Sequence, residues 1–556
     1  MQKSRAIYFF LAALIVVNVI QCCFTGLLND EAYYWLFSKH LAWGYFDHPP
    51  MIALFIATGD SLLHNETGVR LLSILSSTLV VYILYRMVED EGSKLFYLVL
   101  FSITPLLGAC FFAVPDMPLL FFTACFFLVY KKYTERDSLP IALLLGVCMA
   151  LMLYSKYHGV LVILFVLLSN ISLLKRKSFY VASIFGALLF VPHLYWQLQN
   201  DFPTFRFQLF GRVPEVYSPL RVVEYLGGQL LLAGIPVGLL LLYAAFKRKS
   251  INKFERALHF QLWGTYLFFL LASFKGRVEA NWTITSVIPL FVLSYRYLKD
   301  QPQLSVWLFR LLPVSILTIL GIRLYYGTDL PEKCLGINVE TQGWKDWADT
   351  LSQRAGKLPV VFLSSYQKAS KYTFCTGSTA FTTTEVGQRK SQFNLWNIEE
   401  QLQNQKVYVC TNWGLKPERA LSEEHIKTSV WEFDGFVVDS FLSWNKLQIE
   451  PRPKSFEAKP GQEIEIAIEI LWTYGEHPAP NSRSRITYRF YGMDKKKLGD
   501  NDVGISLTDA LSPDAGIVKI KIPVPMAPGK YELFISATQG NYPPPINSPA
   551  VKVTVK

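Results

Sequence analysis

The chain has 556 residues, of which 51% are hydrophobic and 17% charged, against roughly 25% charged in an ordinary soluble domain. That excludes a disordered chain, a fibrous repeat and a wholly water-soluble enzyme. The net charge of +11 is uneven: residues 1–330 hold 27 Lys and Arg against 18 Asp and Glu, and residues 331–556 hold 27 against 25. A basic surplus lodged between apolar runs fits loops retained on the cytoplasmic side of a membrane better than a nucleic-acid-binding patch.

Lys3 and Arg5 precede an apolar run at 7–24. It reads as a first membrane helix and not a cleaved signal, because Gln21 before Cys22 is a poor cleavage site and further spans follow. Apolar runs near 67–88, 94–114, 117–130, 139–154, 157–174, 178–198, 221–246, 257–274, 282–298 and 304–325 bring the expected number of spans to about eleven. Counting Lys and Arg on alternate sides gives seventeen on the side of the N-terminus, including Lys175, Arg176, Lys177, Lys247, Arg248 and Lys249, against eight on the other. This bias places the N-terminus inside and, with an odd number of spans, the C-terminus outside.

Between the first two spans, residues 28–66 form a long loop on the outer side. Its stretch 50–63 is too short to span and fits a helix lying along the interface. Residues 1–330 thus make the transmembrane module. Residues 331–446, with short apolar segments at 358–363 and 406–410, read as an extracytoplasmic α/β domain. From 447 to 556 the pattern alternates strictly: Ile464, Ile466, Ile468 and Ile470 interleave with Glu463, Glu465 and Glu469, and Val518, Ile520 and Ile522 with Lys519 and Lys521. That is the mark of an antiparallel, immunoglobulin-like β-sandwich. The eight cysteines offer neither a disulfide framework nor a CxxC metal spacing.

A charge at the centre of a membrane helix costs about 2.5–3.5 kcal/mol on insertion scales, so ionisable groups beside spans call for a reason. The first loop reads NDEAYYWLFSKHLAWGYFDHPP, with Asp30 and Glu31 just beyond the first helix and Asp47 and His48 before two prolines. Neighbours on a helix point about 100° apart. Asp30 and Glu31 therefore divide the work, one facing a cavity as a general base and the other orienting or pairing. Asp47 and His48 are both capable of binding a metal. The plain alternative is an interfacial aromatic belt around Tyr33, Tyr34, Trp35, Trp43 and Tyr45.

Other connections on the same side supply Asp116 in VPDMP, Lys156 and His158 in YSKYHG, Arg206 and Arg212 in the 199–220 loop, and Lys275, Arg277 and Glu279 in FKGRVEANW. Cations beside carboxylates at the lipid boundary suit a phosphate-bearing lipid: the cations hold phosphate while an acid activates the acceptor. For Lys156 and Lys275 the bland reading is snorkelling from a helix end. His40, His64 and His193 read as structural.

The blocks DEAYYW, LAWGYFDHPP, PDMPLLF, LYSKYHG and EANW resemble the bacterial family 39 glycosyltransferases of the GT-C superfamily, relatives of protein O-mannosyltransferases and of the lipid A aminoarabinose transferase. The resemblance covers about residues 1–330. It implies a GT-C-type multi-span α-helical protein that moves a sugar from a polyprenyl phosphate donor to a lipid, glycan or protein acceptor at the outer face of the bacterial inner membrane. The C-terminal domains would then be periplasmic. Under the resemblance Asp30 matches the catalytic base and Asp116 the acid of a later outer loop. Asp47 and His48 match the acid linked to a divalent metal and the base linked to donor phosphate, a pair that is Glu-Lys in the aminoarabinose transferase. Two other functions compete: a flippase of lipid-linked sugars using the acids as proton relays, and an outer-face assembly protein with an inactive membrane half. Transporters usually place such groups near the bilayer midplane on broken helices, whereas here they gather at helix ends.

Overall fold

The computed structural model describes residues 2–556 apart from 91–92, 209–217, 412–422, 473–476, 494–495 and 513–515. The chain divides into two compact units, Met1–Gln342 and Gly343–Lys556.

Among its described residues the first unit forms helices and no strands, and a helix satisfies the backbone of a long apolar segment by internal hydrogen bonds alone. The opening helix α1 (Gln2–Phe24) is followed by the two short helices of the first loop, α2 (Asn29–Lys39) and α3 (Met51–Asp60). Then come α4 (Glu66–Val88), α5 (Lys94–Ser102), α6 (Thr104–Gly108), α7 (Asp116–Glu135), α8 (Leu139–Ser155), α9 (Gly159–Ser169) and α10 (Lys177–Gln199). The unit continues through α11 (Pro203–Arg206), α12 (Pro219–Ala233), α13 (Gly238–Lys247), α14 (Lys253–Ser273), α15 (Val287–Asp300), α16 (Pro302–Gly327) and α17 (Leu330–Leu335).

Every apolar run contains a helix, but length sorts them. Among the described residues four helices, Arg5–Phe24, Glu66–Val88, Lys177–Gln199 and Pro302–Gly327, are long and apolar enough to cross a membrane, or five if α12 and α13 form one span. The other runs, counted toward about eleven spans, are shorter, interrupted or more polar. The run at 94–114 breaks after Ser102, with Pro105 in the first turn of α6. The run at 221–246 bends by 87° between α12 and α13. There Gly234 takes φ 114°, and Pro236 has no N–H to continue the helical ladder. The helix α7 ends in Lys131, Lys132 and Glu135.

Two glycines set the distance between α8 and α10. A Cβ on Gly146 would lie 2.4 Å from the Ala182 carbonyl oxygen, and one on Gly186 2.8 Å from that of Gly146. Small residues at such crossings let membrane helices pack backbone to backbone.

The second unit begins with α18 (Trp344–Ala355), β1 (Val360–Phe362), α19 (Tyr366–Thr376), β2 (Ala380–Thr382), α20 (Ile398–Leu402), β3 (Val407–Thr411), β4 (Glu423–Lys427) and β5 (Glu432–Val438). Its strands form one mixed sheet in the order β2-β1-β3-β5-β4, parallel around β1 and antiparallel around β5. Trp347 is fully buried among Phe362, Tyr372 and Trp431.

Two further sheets complete this unit. Strands β6 (Leu447–Arg452), β8 (Glu463–Trp472) and β11 (Ile517–Pro523) make one, ordered β11-β8-β6. Strands β7 (Ser455–Ala458), β9 (Ser484–Gly492), β10 (Lys497–Ser506), β12 (Gly529–Gln539) and β13 (Val551–Val555) make the other, ordered β10-β9-β12-β13-β7. The alternation seen in the sequence sets the register: Ile466 faces Ile520 and Ile464 faces Ile522, all buried, with Glu465 and Lys519 outside. The sandwich departs from a purely antiparallel arrangement at one place, where β13 pairs with β7 in parallel.

Candidate functional site

The acids of the first loop take separate roles. Glu31, in the first turn of α2, has its carboxylate fully buried. It accepts from Leu28 N at 2.8 Å, Arg70 Nε at 2.8 Å, Arg70 Nη2 at 2.5 Å and Ala113 N at 2.6 Å. Arg70, equally buried on α4, also donates to the carbonyls of Thr25 at 2.6 Å and Gly26 at 2.8 Å. Its guanidinium lies 5.7 Å from the Phe111 ring and 5.1 Å from that of Phe112. A carboxylate with four donors on its two oxygens has its acceptor positions filled. Of the two acids expected to divide the work as candidate catalytic residues, Glu31 is therefore the one that pairs. It locks the end of α1, the start of α2, the N-terminal end of α4 and the 109–115 connection to one another. Asp30, one residue away on α2, is half-buried.

A second cluster forms at the start of α7. Asp116 Oδ1 accepts from Lys156 Nζ at 2.8 Å and Oδ2 from Asn281 Nδ2 at 3.0 Å. Both partners of the ion pair have side chains only 9% exposed, so Lys156 turns into the protein instead of snorkelling. Asp116 lies in a helix N-terminal turn, where the backbone dipole favours an anion, and Lys156 caps the C-terminus of α8. Asn281 belongs to a 3-10 turn, Ala280–Ser286, anchored where Thr283 Oγ1 donates to Gln229 and Gln261 donates to Thr285 at 3.0 Å. Three connections distant in sequence thus meet at one carboxylate. Ala113, three residues before Asp116, is the donor to Glu31, so a single short segment ties both clusters together.

The remaining candidates divide. Asp47 is 2% exposed, and its backbone carbonyl accepts from Gln208 Nε2 at 3.2 Å. His48 is half-buried with its ring edge-on to Tyr34 at 5.4 Å, and its carbonyl accepts from Tyr45 N at 3.1 Å, closing the turn before α3. His158 N-caps α9 between Phe269 at 5.3 Å and Trp282 at 5.6 Å. Arg206 is exposed and paired with Asp201. Lys275 is exposed, as is Arg277, which pairs with Glu279 at 3.0 Å. Arg212 lies outside the described residues. Of the cations expected around a donor phosphate, Lys156 is the one buried in the two-cluster assembly among the described residues, and Arg206, Lys275 and Arg277 sit on the surface.

Among the described residues no three His, Cys, Asp or Glu side chains converge as metal ligands. Asp47 and His48 supply two potential donors, and a divalent ion shared with substrate phosphate usually takes only one or two protein carboxylates.

Arg70 and Asn281 escape the sequence reading. Arg70 carries a signal, a charge inside the apolar run at 67–88. Asn281 has no signal beyond its place in EANW.

In three dimensions the chain matches ArnT from Cupriavidus metallidurans in its apo state, with a TM-score of 0.59 at 15% identity, covering 79% of this chain and 98% of that one. The fold is of the GT-C type. A second structure of ArnT, bound to undecaprenyl phosphate, gives a TM-score of 0.58 at 15% identity over 78% of this chain and 98% of that one. The sequence pattern of the dolichyl-phosphate-mannose-protein mannosyltransferase family matches residues 47–196. That stretch of the GT-C unit holds Asp47, His48, Asp116, Lys156 and His158. Lipid A galacturonosyltransferase RgtD from Rhizobium johnstonii is 28% identical over 287 residues, 49% of this chain. The chain spans 60% of the length of that relative. Fold and apolar helices together make this a multi-pass membrane protein.

Proposed function

We propose that this chain is an integral-membrane glycosyltransferase that moves a sugar from a polyprenyl phosphate to a lipid acceptor at the outer face of the bacterial inner membrane. The observation that carries the reading is the division of labour at the start of α2: Glu31 is fully buried and saturated with donors, while Asp30 beside it is only half-buried. The ArnT structure with undecaprenyl phosphate supports the donor class, and the name of RgtD supports lipid A as acceptor and a hexuronosyl group over a pentosyl one.

In this reading Asp30 takes the proton of an acceptor hydroxyl. The oxygen attacks the anomeric carbon, the carbon–oxygen bond to phosphate breaks, and the bonding pair leaves with the polyprenyl phosphate, inverting the sugar's configuration. The leaving group is a stable anion, so it needs charge stabilisation more than a proton. His48 and Lys156 are the groups assigned to the phosphate, and Asp116 with Asn281 aims the Lys156 ammonium. The N-terminus faces the cytoplasm and the second unit the periplasm.

The test is transfer by purified chain in lipid, with a polyprenyl phosphate sugar as donor and lipid A as acceptor. Asp30→Asn is expected to lower the rate by roughly 10²–10⁴-fold, the range for a general base, with the melting curve unchanged. Undiminished transfer by a folded Asp30→Asn protein would remove the proposed base. Translocation of the lipid-sugar without a new glycosidic bond would identify a flippase instead.

A further inference from the structure

Behind the AWGYFDHPP segment lies a hydrogen-bonded chain that the reaction above does not use. His193 of α10 is fully buried. Its Nδ1 lies 2.6 Å from the carbonyl oxygen of Trp43 and its Nε2 2.6 Å from the Tyr157 hydroxyl. A carbonyl can only accept, so Nδ1 carries a proton; in the neutral ring Nε2 is then the acceptor, and Tyr157 donates to it. The Tyr157 oxygen in turn accepts from Gln197 Nε2 at 3.3 Å. The same amide donates to Thr204 Oγ1 at 2.5 Å, and Thr204 Oγ1 donates to the carbonyl of Tyr45 at 2.7 Å. Every hydrogen in the chain has one consistent direction.

The two ends of this relay hold the carbonyls on either side of Gly44. That glycine has no freedom to change, because a Cβ would lie 2.4 Å from the Trp196 ring, three residues beyond His193 on the same helix. Phe190 at 4.9 Å and Tyr154 at 6.3 Å wall the imidazole with aromatic surface. Four residues on from Trp43 the segment reaches Asp47 and His48. Tyr157 is also the residue after Lys156, so one network touches the loop and the partner of Asp116.

We infer that His193 is a positioning residue of the transfer reaction: its neutral imidazole, hydrogen-bonded to Trp43 and Tyr157, sets the register of residues 43–48 and with it the placement of Asp47 and His48 against the donor. The inference rests on the glycosyl-transfer reading of the site. His193 touches no reacting atom; it acts through the backbone of the loop. A misplacement of about 1 Å in such a segment is enough to cost up to about a hundredfold.

Steady-state transfer separates this role from simple fold support. His193→Phe keeps a ring of similar size and loses both hydrogen bonds; His193→Asn restores an N–H donor on the Nδ1 side. The expected result is a donor KM raised roughly tenfold or more in His193→Phe, an acceptor KM close to wild type, and recovery of most of the donor KM in His193→Asn. Thr204→Val, which frees the Tyr45 carbonyl at the other end, should raise donor KM in the same sense and decides the matter if His193→Phe does not purify as a single species. A lowered kcat with donor KM unchanged in these variants would overturn the inference, because that is what a smaller folded fraction produces. Wild-type protein serves as the control: transfer by wild type with unshifted variants defeats the positioning role alone, whereas no transfer by wild type defeats the functional reading and this inference with it.

Discussion

Arg70 and Glu31 are both fully removed from water, and neither would be tolerated there without the other. Removing one partner of such a pair strands a charge and typically costs about 3–5 kcal/mol, while removing both is far milder. Arg70→Met is therefore expected to melt well below wild type in detergent, and Arg70→Met combined with Glu31→Gln to regain most of the loss. A single-variant melting temperature equal to wild type would contradict the burial described here. Asp30, Glu31, Asp47 and Asp116 stand out in the sequence because each is an acid beside an apolar run. Their partners do not, since Arg70 follows Glu31 by 39 residues and Asn281 follows Asp116 by 165, distances over which no local pattern operates. Adjacent carboxylates could be told apart in principle by the helical turn between them, yet which one pairs depends on a guanidinium two helices away.

Helices and strands were more readable than their interruptions. Hydropathy marks where chain is apolar, so the runs in the first unit reappear as helices; it is blind to the breaks after Ser102 and at Gly234, where backbone chemistry overrides an unbroken apolar stretch. Period-two alternation gave the sandwich strands and their inward faces, but not the parallel pairing of β13 with β7, because strand order depends on crossovers and not on alternation. The contact of α8 with α10 is where element geometry meets the site, for Lys156 caps α8. Gly186→Leu should push the two helices apart, lower the melting temperature and cut transfer at least about tenfold, given how steeply rate depends on placement. Melting and activity measured on the same preparation check it; a fully active Gly186→Leu protein would mean that this crossing does not position Lys156.

At the scale of the whole molecule, charge asymmetry makes a testable statement about topology. The surplus of Lys and Arg on alternate connections of the first unit predicts an inward N-terminus, with Cys334, exposed just past α16, on the outer side. A membrane-impermeant maleimide added to intact spheroplasts should label Cys334, while Lys249→Cys, in the connection between α13 and α14, should need permeabilisation. The reverse pattern would invert the topology. Within the second unit the mixed sheet and the sandwich are joined by Arg489, which bonds Glu385 at 3.0 Å and is paired with Asp500, and by Val386 N to the Pro544 carbonyl at 2.9 Å. Nothing in the alternating pattern signals that joint, since it is made by one buried arginine and a loop.

The clasp around Glu31 and Asp116 also dictates an order of manufacture. Glu31 leaves the ribosome with only Leu28 N at hand; its guanidinium arrives with residue 70, its amide from Ala113 later still, and Asp116 must wait for Lys156 and finally Asn281. Until that last asparagine has been made, Asp116 is incompletely compensated. The linked Glu31 and Asp116 clusters thus hold some of the first residues to be synthesised and are among the last to be completed.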